Sequence, residues 1–159
     1  MMGANKILTQ QVHYVPLLDP VADALAGTVV TDEINMSDAS AVTFFVAWGV
    51  GATGTGTITV EACDDTSATN TSAIPFKYRR NSATDVWGAL QNATTAGFTT
   101  TAGSSQVYAI EVDANEMGDS GYKYVRLKWV EVVDSPILGG IHAMVQIAKP
   151  RAVTSTVLT

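Results

Sequence analysis

The side chains of this chain that could do acid–base, nucleophilic or metal chemistry are few and scattered. The only histidines are His13 and His142, and the only thiol is Cys63. A zinc site is built from several N or S ligands, and this set is too small to complete one. Composition leaves a Ser–His–Asp triad open, but no GxSxG elbow singles out a nucleophilic serine. Gly49-Val50-Gly51-Ala52-Thr53-Gly54 matches GxGxxG. A dinucleotide site needs a helix next, whose N-terminus receives the pyrophosphate. Gly56-Thr57-Ile58-Thr59-Val60-Glu61 follows instead and alternates as a strand does, so Gly49–Gly56 reads as a hairpin tip. Asp113-Ala114-Asn115-Glu116-Met117-Gly118 begins like a calcium loop, then places Met117 fifth and Tyr124 where the bidentate Glu belongs. A loop calcium site at Asp64 and Asp65 stays open. The expectation is a non-enzymatic chain with no catalytic residue, cofactor or metal.

The charged residues offer a different chemistry. Lys77, Arg79, Arg80, Arg126 and Lys128 make up five of the nine basic residues. On strands, Lys77 and Arg79 share a face, as do Arg126 and Lys128. Pairing of those two strands would join them into a basic patch on an acidic body. Such a patch reads either as a docking site for an acidic protein surface or as ordinary outward charge that discourages edge pairing.

Strands must carry these residues. Period-two alternation marks Val42–Trp48, Thr57–Cys63, Val107–Asp113, Tyr122–Val133 and Ile141–Ile147. In the fourth of these the phase blurs near Val130, where a bulge fits. Weaker strand signals cover Gln11–Leu18, Thr28–Thr31, Ile74–Arg80 and Phe98–Thr101, with Gly-, Thr- and Ser-rich connectors between. The predicted core is Val42, Phe44, Val46, Trp48, Ile58, Val60, Tyr108, Ile110, Val112, Val125, Leu127 and Trp129. Helix is confined to a turn begun by Asp19-Pro20 and ended by Gly27, and to one turn at Ala114–Met117. These features predict an all-β fold: an antiparallel β-sandwich, jelly-roll-like, in a single domain with extended termini. The domain spans 11–149, between an N-terminal arm at 1–10 and a C-terminal tail at 150–159.

With 159 residues the chain suits one domain with one core. Charged residues are only 15% of it, well below the roughly 25% of an average soluble domain, so a partner is expected to cover part of the surface. The net charge of −6 disfavours nucleic acid and anionic membranes as partners. The N-terminus lacks the apolar stretch of a signal peptide, and no segment approaches the ~20 apolar residues of a membrane span. Synthesis in a cytoplasm is the expectation.

Four segments carry a resemblance: 19–27 (DPVADALAG), 54–63 (GTGTITVEAC), 73–80 (AIPFKYRR) and 124–129 (YVRLKW). In that order the chain resembles small virion proteins of tailed bacteriophages, of the sort encoded beside the major capsid protein. The resemblance implies a capsid decoration, or cement, protein on the capsid exterior. It would bind the major capsid protein and form a homo-oligomer, often a trimer. Tail-tube and head–tail connector proteins are alternatives within the virion. A carbohydrate-binding β-sandwich using Trp48, Trp87 and Trp129 is the alternative of another class, although Trp48 and Trp129 alternate with core residues.

Overall fold

The computed structural model describes residues 8–50, 53–82, 85–118 and 121–148. In chain order its strands are β1 (Val12–Val21), β2 (Thr28–Val30), β3 (Ile34–Asn35), β4 (Ala39–Trp48), β5 (Thr55–Cys63), β6 (Thr71–Ile74), β7 (Phe76–Ser82), β8 (Val86–Trp87), β9 (Gln91–Ala93), β10 (Phe98–Thr99), β11 (Gln106–Asp113), β12 (Tyr124–Val133) and β13 (Gly139–Ile147). The first sheet runs β1-β13-β4-β11-β7-β8, with β9 beside β7. The second runs β10-β5-β12-β2, with β3 beside β12 and β6 beside β5. Every pairing is antiparallel. The two sheets pack face to face, so the fold is the expected all-β sandwich.

Alternation in the sequence becomes alternation in burial. Along β4 the residues Val42, Phe44, Val46 and Trp48 are buried, and Thr43, Phe45 and Ala47 are half-buried. All twelve predicted core residues are buried, the most exposed being Trp48 at 4%. Trp48 of the first sheet meets Trp129 of the second edge-on, with ring centroids 6.2 Å apart. Each indole N–H is satisfied, Trp48 donating to the Gly103 carbonyl at 2.7 Å and Trp129 to the Leu25 carbonyl at 2.8 Å. A buried Trp needs such a partner to avoid a desolvated donor. Gly56 lies against the Trp129 indole, where any Cβ would overlap the ring.

Three local expectations change. Gly49–Gly56 is not a hairpin tip, because β4 and β5 belong to different sheets and this segment carries the chain between them. Ile74–Arg80 is two strands, not one. β6 pairs with β5 in the second sheet and β7 with β11 in the first, with the crossing at Pro75. Proline has no N–H for a ladder, so it suits such a switch point. The Asp19-Pro20 turn is absent, since β1 continues in extended form to Val21 and the turn follows it. By contrast, Ala114–Met117 is the expected single turn, with Asp113 capping it through Asn115. The bulge expected near Val130 lies between Glu131 and Val133.

The arm and tail, 1–10 and 150–159, fall largely outside the described residues, apart from one 3-10 turn at Leu8–Gln10. No described helix is long and apolar enough to cross a membrane.

Candidate functional site

The two outer faces of the sandwich differ in kind. Register places Tyr14, Met144, Thr43, Glu111 and Lys77 in one row across five strands of the first sheet. The next row is Pro16, His142, Phe45, Ala109 and Arg79, and the one after it includes Gly140, Ala47, Val107 and Asn81, with Trp87 beside Asn81 on β8. This face is therefore mainly apolar or aromatic over β1, β13 and β4, while β7 contributes Lys77, Arg79 and Asn81. Tyr14 and His142 stack with ring centroids 5.5 Å apart, and Trp87 is 42% exposed. A hollow of about 250 Å³ opens among Thr43, Phe45, Arg79, Trp87, Ala109 and Glu111. A second, of about 320 Å³, adjoins it and is ringed by Lys77, Glu111, Asp113 and Glu116.

The outer face of the second sheet is mainly polar, with Val30 and Val130 exposed on it, and its charged groups are paired with one another. Thr57 and Thr99 bring their hydroxyls to 3.0 Å. Arg126 lies opposite Glu61 in register and spans two carboxylates, reaching Glu61 at 2.8 Å and Glu33 at 3.1 Å. Lys128 reaches Glu61 at 3.6 Å. Partial burial of the guanidinium works against its charge, but the hydrogen bond and charge of Glu61 outweigh it and hold Arg126 above its ordinary pKa.

The five basic residues singled out in the sequence do not form one patch. β7 lies in the first sheet and β12 in the second, so the strand pairing that a joint patch requires does not occur. Lys77 and Arg79 share the outer face of the first sheet. Arg80 has the opposite parity, in register with buried Tyr108. Arg126 and Lys128 stand on the other outer face, already paired. Among the described residues, no ion pair involves Lys77, Arg79 or Arg80.

The carboxylates of the Asp64-Asp65 loop are engaged by the loop itself. Asp64 accepts from the Asn70 amide and side chain, and Asp65 from the Ser67 and Thr69 amides and the Thr69 hydroxyl. Those bonds lower both pKa values. Among the described residues no group of three or more His, Cys, Asp or Glu side chains is placed to hold a metal. His13 and His142 lie on paired strands but not in register, since His13 faces Val145 and His142 faces Pro16. Cys63 is fully buried, and desolvation pushes its thiol up to about 11. The tryptophans form no sugar platform, because Trp48 and Trp129 are inside and only Trp87 faces solvent.

In the sequence Phe45, Met144 and Tyr14 are not singled out as surface candidates, and Trp87 is one only as part of a sugar platform. A signal for the first was present, since Phe44-Phe45-Val46 is apolar on both strand faces, which alternation with a solvated outer face does not require. Compared with known proteins, the chain matches no family model, no curated protein and no solved structure.

Proposed function

We propose that this chain is a non-enzymatic structural module of a phage virion. As a decoration protein it attaches through the outer face of the first sheet to the major capsid protein on the capsid exterior. It is made in the host cytoplasm and assembles as a homo-oligomer, a trimer being the form the resemblance implies. The carrying observation is the contrast between the outer faces: one mainly polar with its charges paired within the chain, the other mainly apolar across β1, β13 and β4 and onto β11. An uncovered apolar face of this extent marks a protein contact more often than bare surface. Five strands about 4.8 Å apart and about nine residues long offer roughly 700 Å², close to the ~800 Å² per partner of a standard interface. The edges argue for attachment by face rather than by strand addition. β1 carries Pro16 and Pro20 with register shifts, while β8, β10 and β2 have two, two and three residues; short, proline-bearing or bulged edges resist pairing.

The test is co-sedimentation with bare shells of the major capsid protein encoded beside it. The native chain should bind saturably, and Phe45→Asp should abolish binding. Thr59→Asp, on the opposite face, should not. No attachment to bare shells, or equal loss from both variants, would remove the reading.

A further inference from the structure

We propose that the hollow beside Arg79 and Trp87 is the anchor of the docking face and takes a carboxylate-bearing apolar segment of the partner. The occupant is an Asp, Glu or chain-terminal carboxylate next to an aliphatic or aromatic side chain. This rests on the docking reading above and specifies the partner chemistry that the face selects.

Charge supplies the first argument. On the second sheet the basic groups are neutralised within the chain, Arg126 by Glu33 and Glu61 and Lys128 by Glu61. On the first sheet Arg79 makes no ion pair among the described residues, and its Nε is buried without a hydrogen-bond partner. With Nε enclosed and unmet, the guanidinium is under-satisfied as a whole, and a carboxylate that grips its terminal nitrogens is its strongest partner. Glu111 stands in the row of Lys77 and lines the same hollow, but it makes no ion pair with Arg79, whose register partner Ala109 carries no charge.

Shape supplies the second. The hollow that Arg79 lines is completed by Thr43, Phe45, Trp87, Ala109 and Glu111, so apolar surface lies next to the guanidinium. A planar guanidinium flanked by an aromatic ring is pre-organised for a fork-like grip on a carboxylate. Trp and Arg are also the residues most enriched where a few side chains dominate an interface. The adjoining hollow, ringed by Lys77, Glu111, Asp113 and Glu116, sets three carboxylates against one ammonium and would repel the same group, whereas in the Arg79 hollow Glu111 is the one carboxylate, set against the guanidinium.

The experiment is an NMR titration of the ¹⁵N-labelled full chain with acetyl-Asp-Leu-amide, and with acetyl-Asn-Leu-amide as the uncharged twin. The Asp probe should shift the Arg79 Nε–H, the Trp87 indole N–H and the Ala109 amide saturably, with the weak affinity of a fragment, about 1–10 mM. The Asn probe should bind at least about fivefold more weakly, since it lacks the ionised acceptor. Arg79→Gln should erase the difference between the probes while the rest of the spectrum stays in place. Equal shifts from both probes, no shift at about 20 mM, or a preference that survives Arg79→Gln would overturn the proposal. Shell sedimentation is scored separately. Shells that bind while the probe does not leave the docking face standing and remove its acidic anchor.

Discussion

Arg126 shows how one residue commits a whole surface. Its guanidinium holds Glu33 and Glu61, whose side chains are 12% and 13% exposed, so removing it leaves two carboxylates close together with little water. Arg126→Leu should lower stability by about 1–3 kcal/mol in urea unfolding, and adding Glu33→Gln should recover part of that loss, because the repulsion goes with the charge. Cys63 gives a second residue-scale expectation. Desolvation raises its thiol from 9.0 to about 11 in the fold. A raised pKa means that the contribution is complete below 9.0 and is lost as pH rises through about 11. Native chain at pH 8 should therefore leave a thiol reagent unconsumed until denaturant is added; prompt reaction would show that the thiol is accessible.

Among the elements, the long alternating strands were legible because one residue in two must enter the core. β4, β5, β11, β12 and β13 appear close to where the pattern puts them, with buried Phe44 and Leu127 on the expected faces. The connections were not legible. Alternation reports which face of a strand is buried but not which sheet the strand joins, so nothing local told that Pro75 is a crossing or that Gly49–Gly56 spans the sandwich. The same blindness joined Arg79 to Arg126 in one supposed patch and hid the apolar outer face, whose rows exist only once β1, β13, β4, β11 and β7 are side by side. Short pieces such as β3, β8 and β9 hold two or three residues, too few to show a period. The Asp64-Asp65 loop, which links β5 to β6, makes an element-scale prediction. Both carboxyls titrate below the usual 3.8 because they accept loop hydrogen bonds. Their contribution is present above 3.8 and disappears as pH falls through the lowered values. In acid the amides of Thr69 and Asn70 should lose hydrogen-exchange protection before the β5–β12 ladder does. Simultaneous loss would mean that the loop is held by something other than these carboxylates.

For the whole molecule, the distribution of charge decides how attachment should respond to salt. A single basic patch of five residues would make docking an electrostatic event, strongly weakened by ions at distances beyond the ~8 Å Debye length of physiological salt. The fold divides those residues between two outer faces and neutralises Arg126 and Lys128 internally. Of the five, those on the proposed docking face are Lys77 and Arg79, at the flank of an apolar field centred on Phe45. Attachment through such a surface is driven by apolar burial, with Arg79 adding direction and selectivity. Raising sodium chloride from about 0.15 M to about 1 M, where screening shortens to ~3 Å, should therefore weaken shell binding only a few-fold. Met144→Asp, in the middle of the apolar field, should weaken it far more at either salt. Arg126→Glu should act through stability alone and leave the affinity of the folded fraction unchanged. Measured by sedimentation with shells at both salt concentrations, a collapse of binding at high salt together with an indifferent Met144→Asp would reverse the assignment and return attachment to charge.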